Sequence, residues 1–545
     1  MNKRVLFTGF ALLMILVFLL TGCGQEELVS GTEEDEIAIL TFNLNSQPET
    51  TDPGRVAGQP DMTLVNAVME GLTRYNTAGE LEPAMASHWD ISEDNKTYTF
   101  YIRDGAKWSN GEPVTAHDFE YAWKRVLAPE YASNYAYQLY YIVNAFNYND
   151  QENTDVSDPD LVGVTALDDQ TLEVVLNAPT PQFLGLTAFP TYFPVHKNTV
   201  ENNPAWNQDI ETYINNGPFK IDQWQEYQQI ELVANDLYWD KDSVKLDKLV
   251  FTLIEEESSS LTMFETGNLD VVYNIPSQDL DRLKSDNLGL KIGDDLSVSK
   301  YIFNTNTVPL DDPRVRQALA LAIERQEIVD YVTRAGERPA YAYVPYGVPD
   351  VNPLKDFREV GGEYFSENLE EAERLLSEAG YPDGTDFPEL VLLINDSEDT
   401  LRIAQVVQEM WRRNLGISIS IQSQEWRVYM QSIFTGDYQI TAASWSADYI
   451  DAMTFLDVYL TDGGNNLTGW GSTEYDELIA EANTSDDQEM RIQALHKAEE
   501  ILMDEMPIMP IFYDTKPYLI KDYVKDAGVL SFGPQMEFKW AYIQK

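Results

Sequence analysis

The chain has 545 residues, enough for two or three domains and a large core. An apolar content of 43% with 12% aromatics describes a folded globular protein and excludes a disordered one. A net charge of −54 repels phosphates and so excludes nucleic acid as a partner; spread along the chain, it reads mainly as a solvated surface and secondarily favours cationic ligands.

At the start, Lys3-Arg4 precede an apolar run from Val5 to Leu20 and then Leu20-Thr21-Gly22-Cys23. This pattern reads as a bacterial lipoprotein signal peptide, residues 1–22, cleaved before the single cysteine of the chain. A lone Cys at that point implies lipid attachment (palmitate) at Cys23, not a disulfide or a catalytic thiol. The apolar run is shorter than the roughly 20 residues a spanning helix needs. The expected mature chain is therefore 545 − 22 = 523 residues long, tethered to the extracytoplasmic face of the cell membrane. Residues 23–36 are polar and Glu-rich, a flexible acidic tether.

Ile37 to Phe42 is the first strand-like run, followed by a loop through Pro48, Pro53, Gly54 and Gly58, and a helix from Thr63 to Met69. Lys96 to Ile102 alternates and turns at Arg103-Asp104-Gly105. Thr115 to Leu127 reads as a helix with Thr115 as N-cap and Asp118 completing a capping box. The segment Tyr131 to Phe146 is crowded with Tyr. Strand signals follow at 172–176, 250–254, 269–273 and 300–304, with a helix from Ser258 to Thr266. A further helix opens on Asp312-Pro313. The succession of strand 390–394, helix 401–414 and alternating Ile417, Ile419 and Ile421 predicts a β-α-β unit and an α/β domain. Gln488 to Met503 reads as helix and Ile508 to Tyr513 as strand.

The stretch Ala442 to Leu456 follows an extended run at Tyr438-Gln439-Ile440, so its polar cluster falls at a strand end. Asp448 stands between Trp445 and Tyr449, with Asp451 beyond. A carboxylate held among aromatics and shielded from water suits an ammonium group. The other reading is that Asp448 caps a helix beginning near Asp451.

Catalytic constellations are missing from the sequence. The four histidines are scattered with none at i, i+4, there is no Gly-rich phosphate loop, and no Gly-x-Ser-x-Gly elbow occurs. Ser297-Val298-Ser299-Lys300 matches Ser-x-x-Lys and Ser285-Asp286-Asn287 matches Ser-Asp-Asn, but their order is reversed and no Lys-Thr-Gly accompanies them, so both read as coincidence. With 91 acidic residues, a carboxylate pair carries no information about glycoside chemistry. No catalytic residue, metal or cofactor is expected.

From Leu72 onward the chain resembles the family-5 extracellular solute-binding proteins, the oligopeptide-binding lipoproteins of ABC importers. The residues that carry the likeness are Glu70 to Tyr75, the long run Tyr98 to Phe119, Asn216-Gly217-Pro218-Phe219, Asp312 to Leu319, Glu378 to Gly384 and the stretch around Asp448. The resemblance implies an α/β, two-lobed periplasmic-binding-protein-like fold (type II) with an extra subdomain on the first lobe. Lobe one gathers 37–75, 197–298 and 514–545, the extra subdomain 76–196, and lobe two 299–513. The resemblance implies a monomeric, non-enzymatic receptor that clamps an extended oligopeptide by its backbone and delivers it to ABC permease subunits. By motif, Asp448 is the anchor for the peptide α-amino group. Trp445, Ser444, Ala447, Trp426, Tyr273, Asn274, Tyr135 and Tyr137 are the further peptide-binding candidates. Enteric relatives carry basic groups for the peptide carboxylate where this chain has Ala442 and Thr400, which implies a C-terminus that is not tightly read and longer peptides. A receptor for one signalling peptide, such as a pheromone, on the same scaffold is the alternative, and a secreted hydrolase the reading from another class.

Overall fold

Two thirteen-residue strands, Lys291–Phe303 and Ile508–Ile520, run antiparallel through the middle of the fold. The structure is a computed structural model describing residues 37–150, 157–485 and 487–544, so the signal peptide, Cys23 and the whole of the tether lie outside the described residues. Lys291 to Asp294 pair with Tyr518 to Thr515, and Val298 to Ile302 pair with Tyr513 to Ile508. Between Asp294 and Val298 three residues face Asp514 alone, an irregularity of the bulge kind. The backbone groups freed there find other partners: Leu296 N–H donates to the Ser531 carbonyl (2.7 Å), and its carbonyl accepts from Ala447 N–H (2.8 Å). In the same irregularity Asp295 pairs with the buried Lys516 at 3.1 Å.

These two strands join an eleven-stranded mixed sheet. On one side follow Ile440–Ser446, Leu390–Asn395 and Ile419–Gln424; on the other, Val271–Tyr273, Ile39–Asn43, Lys248–Thr252, Gln229–Ala234 and Phe219–Gln225. The predicted β-α-β unit is present: Leu390–Asn395 and Ile419–Gln424 are parallel, and the helix Glu398–Leu415 connects them. Ser397 caps that helix by accepting from Thr400 N–H, and Gly416 ends it at φ +69°, where a Cβ would meet the Asp383 carbonyl at 2.6 Å. The helix buries Trp411, whose indole N–H donates to the Leu319 carbonyl at 2.9 Å.

A separate four-stranded antiparallel sheet, Ala86–Ile91, Thr97–Ile102, Thr171–Val175 and Val164–Ala166, packs with the helix Ala116–Leu127. The capping box read from the sequence is there: the Asp118 carboxylate accepts from Thr115 N–H at 2.9 Å. Elsewhere local signals understate the elements. The first helix is Gln59–Val68, not Thr63 onward, because Gly58 and Pro60 serve as its N-cap and first turn instead of breaking the chain. Among the described residues, no helix is long and apolar enough to cross a membrane.

Candidate functional site

A cavity of about 300 Å³ opens between the strands Lys291–Phe303 and Ile440–Ser446, the helix Trp426–Phe434 and the segment Ala57–Met62. Asp448 lies on its wall, two residues past the end of the Ile440–Ser446 strand. Its backbone is held in place. Ala447 donates to Leu296 and accepts from Gly533 N–H at 3.1 Å, while Asp448 N–H donates to Thr454 Oγ1 at 3.0 Å. The side chain is 5% exposed, and its Oδ2 accepts from Gln138 Nε2 at 2.7 Å. No cation among the described residues pairs with it. Burial therefore pushes the Asp448 carboxyl well above the usual carboxylate range, and the Gln138 hydrogen bond only partly opposes this. Asp457, also buried, is pushed up by its own burial and then by the charges of Asp448 and Asp451. A buried acid with no counter-ion costs several kcal/mol to ionise, so burial holds this carboxyl toward its neutral form.

Asp448 caps no helix. The helix Met453–Leu456 has Ala452 at its N-cap, and Asp451, not Asp448, accepts from Met453 N–H at 2.9 Å. Asp451 is further held by a two-pronged pair with the buried Arg491, at 2.7 and 3.0 Å.

The structure brings four of the other eight predicted residues to the wall of this cavity. Trp445 borders it, stacks on Tyr135 at 6.2 Å between ring centroids, and donates its indole N–H to the Thr454 carbonyl at 2.8 Å. Tyr135 lines the cavity and stacks in turn on Tyr137, which stands behind it and accepts from Asn465. Ser444 is on the wall with its hydroxyl 2.9 Å from that of Ser299. Trp426 opens its own helix and packs on Tyr429 and against Gly58, whose added Cβ would touch the ring at 3.4 Å. Ala447 acts through its backbone and does not line the cavity. Tyr273 and Asn274 are not on the wall either. Tyr273 sits near Asp295 and Asp514, and Asn274 is an exposed residue at φ +59°. Ala442 and Thr400 border the cavity and bring no charge to it.

Two residues at or beside the cavity, Gln138 and Lys300, are given no site role by the sequence reading. Gln138 directly follows Tyr137, in the turn Ala136–Leu139, and nothing local marks an amide as the partner of a carboxylate 310 positions away. Lys300 is the one charge in the stretch 298–303 of its strand, among Val298, Tyr301, Ile302 and Phe303, and that interruption is the signal available for it.

A sequence profile for the bacterial extracellular solute-binding proteins, family 5 (middle), matches residues 80–467. The chain is 39% identical to the oligopeptide-binding protein OppA of Bacillus subtilis (strain 168), covering all of both chains. It is 36% identical to the dipeptide-binding protein DppE of the same organism, covering 98% of each. Among solved structures, Haemophilus influenzae OppA in complex with RPPGFSPFR matches with a TM-score of 0.86 and 32% identity, over 94% of this chain and 100% of that one. The mixed α/β fold is thus that of the two-lobed periplasmic binding proteins, as the sequence resemblance implies. With a profile match over most of its length and relatives aligned from end to end, the chain belongs to family 5 of the bacterial extracellular solute-binding proteins.

Proposed function

We propose that this protein is the lipid-anchored, extracytoplasmic receptor of a peptide importer. It binds oligopeptides in extended form, holds the free α-amino group at Asp448, and hands its cargo to an ABC permease without any bond chemistry of its own. The observation that carries this reading is the buried Asp448 carboxylate, facing a cavity lined by aromatics and holding a hydrogen bond but no cation. An ammonium group desolvated there gains a charge-assisted pair that water would otherwise screen. The complex of the Haemophilus relative with the nine-residue RPPGFSPFR supports a ligand longer than three residues.

In this reading lobe one comprises 37–75, 197–298 and 514–545 with 76–196 as its extra subdomain, and lobe two comprises 299–513. The register irregularity between Asp294 and Val298, facing Asp514, falls beside both crossings and supports hinge bending there. On these boundaries the Gln138–Asp448 bond and the Ser397–Glu257 bond (2.6 Å) tie one lobe to the other. The test is calorimetric titration of one peptide against its N-acetylated form. The free amine binds at least tenfold more tightly; equal affinities overturn the Asp448 anchor. Native mass spectrometry of copurifying ligand reads class and length together. One peptide far tighter than all others would indicate a signalling receptor, and cleavage of a labelled peptide, lost in a point variant, a hydrolase.

A further inference from the structure

Lys300 ends the Ser297-Val298-Ser299-Lys300 run, and the function above leaves its side chain unused. It stands opposite Ala443 in the sheet, borders the same cavity as Asp448, and is 3% exposed. No carboxylate among the described residues pairs with it. Its neighbours are rings: the Nζ lies 5.6 Å from the Tyr343 centroid and 5.9 Å from that of Trp445. The acid whose charge reaches it, Asp514, is engaged by the hydroxyls of Ser299 at 2.7 Å and Ser297 at 2.8 Å.

Such an ammonium is expensive. Burial pulls it down to about 7, with the Asp514 charge opposing. The two rings return only part of the lost hydration, since cation–π attraction is smaller than the cost of burying an ammonium. An apolar side chain of similar length would fill the same space without the cost, so stability alone does not account for a lysine here. The cavity is thus bordered by two buried ionisable groups, an acid at Asp448 and an amine at Lys300, neither with an ionic partner among the described residues.

We propose that Lys300 is a subsite for a carboxylate of the bound ligand, so that one zwitterionic or acidic peptide satisfies both buried charges. The proposal rests on the peptide-receptor reading and sharpens it. The carboxylate is supplied either by an acidic side chain or by the free C-terminus, and the chemistry at Lys300 is the same: an ammonium–carboxylate pair stripped of water. Neutral residues at Ala442 and Thr400 therefore do not leave the ligand's negative charge unread.

The test uses the full chain, freed of ligand, and calorimetry with three sets of tetrapeptides. These are tetra-alanine with a free carboxylate, its C-terminal amide, and amides carrying one Glu at the second, third or fourth position. Wild type binds at least one carboxylate-bearing peptide tenfold more tightly than the neutral amide. Lys300→Met removes that preference while holding the neutral amide within twofold, and Lys300→Arg retains it. Preference for the free C-terminus over every Glu amide identifies the α-carboxylate as the source; the reverse identifies a side chain. Melting curves check that Lys300→Met folds, and Lys300→Gln replaces it should it not. A preference that survives in the Met or Gln variant, or a wild type that binds the neutral amide as well as the others, overturns this proposal alone. A wild type that binds none of these peptides overturns the peptide-receptor reading with it.

Discussion

Gln138 Nε2 lies 2.7 Å from Asp448 Oδ2, joining residues 310 positions apart behind the cavity wall that Asp448 helps to form. The amide orients the carboxylate but brings no charge to it, and the proposed function assigns the counter-ion to the peptide amine. Asp448→Asn keeps the shape and accepts the same hydrogen bond while removing the charge. It should lower affinity for a free-amine peptide by about 2–5 kcal/mol, the range for breaking a desolvated charge pair. Isothermal calorimetry reads this directly, and an unchanged affinity would place the ammonium elsewhere.

The same substitution should stabilise the empty protein. Burial raises the Asp448 carboxyl well above its ordinary range, so between those two values the folded chain keeps a proton that the unfolded chain has released. Stability then falls as pH rises through that window and is unaffected below it. Asn does not titrate. Ligand-free Asp448→Asn should therefore melt above wild type at about pH 7.5, with the gap closing toward about pH 4, where a free carboxyl begins to protonate. A gap of equal size at both pH values would show that the gain does not come from the buried charge. Binding runs the other way: pairing with an amine needs the ionised acid, so affinity rises with pH while the amine stays protonated.

Gln138→Leu isolates the orienting amide. Its Oε1 has no partner among the described residues, so the side chain's role rests on the single bond its Nε2 makes to Asp448. Losing a hydrogen bond to a charged group should weaken binding by about 1.5–3 kcal/mol and push the carboxyl higher still. The pH at which affinity fails should consequently move upward. A binding profile that overlays wild type at every pH would remove Gln138 from the site.

What the sequence could show depended on how local the cause was. Asp312-Pro313 and Thr115 with Asp118 announced their helices because a cap needs only its own first turn. The two long central strands were legible only in part. Gly293, Asp294 and Asp295 in one, and Pro510 and Pro517 in the other, are poor strand formers, and it is the pairing across the sheet that keeps them extended. The site divides in the same manner. Asp448, Trp445 and Tyr135 belong to a recognisable pattern, whereas Gln138 and Lys300 acquire their roles from neighbours that folding alone supplies.

The last prediction separates holding the site from touching the ligand. Asp451 stands three residues after Asp448, but both its oxygens are engaged by Arg491, at 2.7 and 3.0 Å, and one also accepts from Met453 N–H. Arg491 is 3% exposed, and its charge also opposes the raised carboxyl of Asp457. Arg491→Met leaves the partly buried Asp451 and the buried Asp457 without their shared cation and should destabilise the fold by up to about 3–5 kcal/mol, the usual cost of orphaning one member of a buried pair. Removing the partner as well, in Asp451→Leu with Arg491→Met, should restore much of that loss, because no unpaired charge is then created at this position. Peptide affinity of the folded double variant should stay close to wild type, since Asp448 and Gln138 are untouched. Denaturant melts and calorimetry on the three variants decide the point: a double variant as stable as wild type but unable to bind would make Asp451 a ligand contact instead of a brace for the turn that carries Asp448.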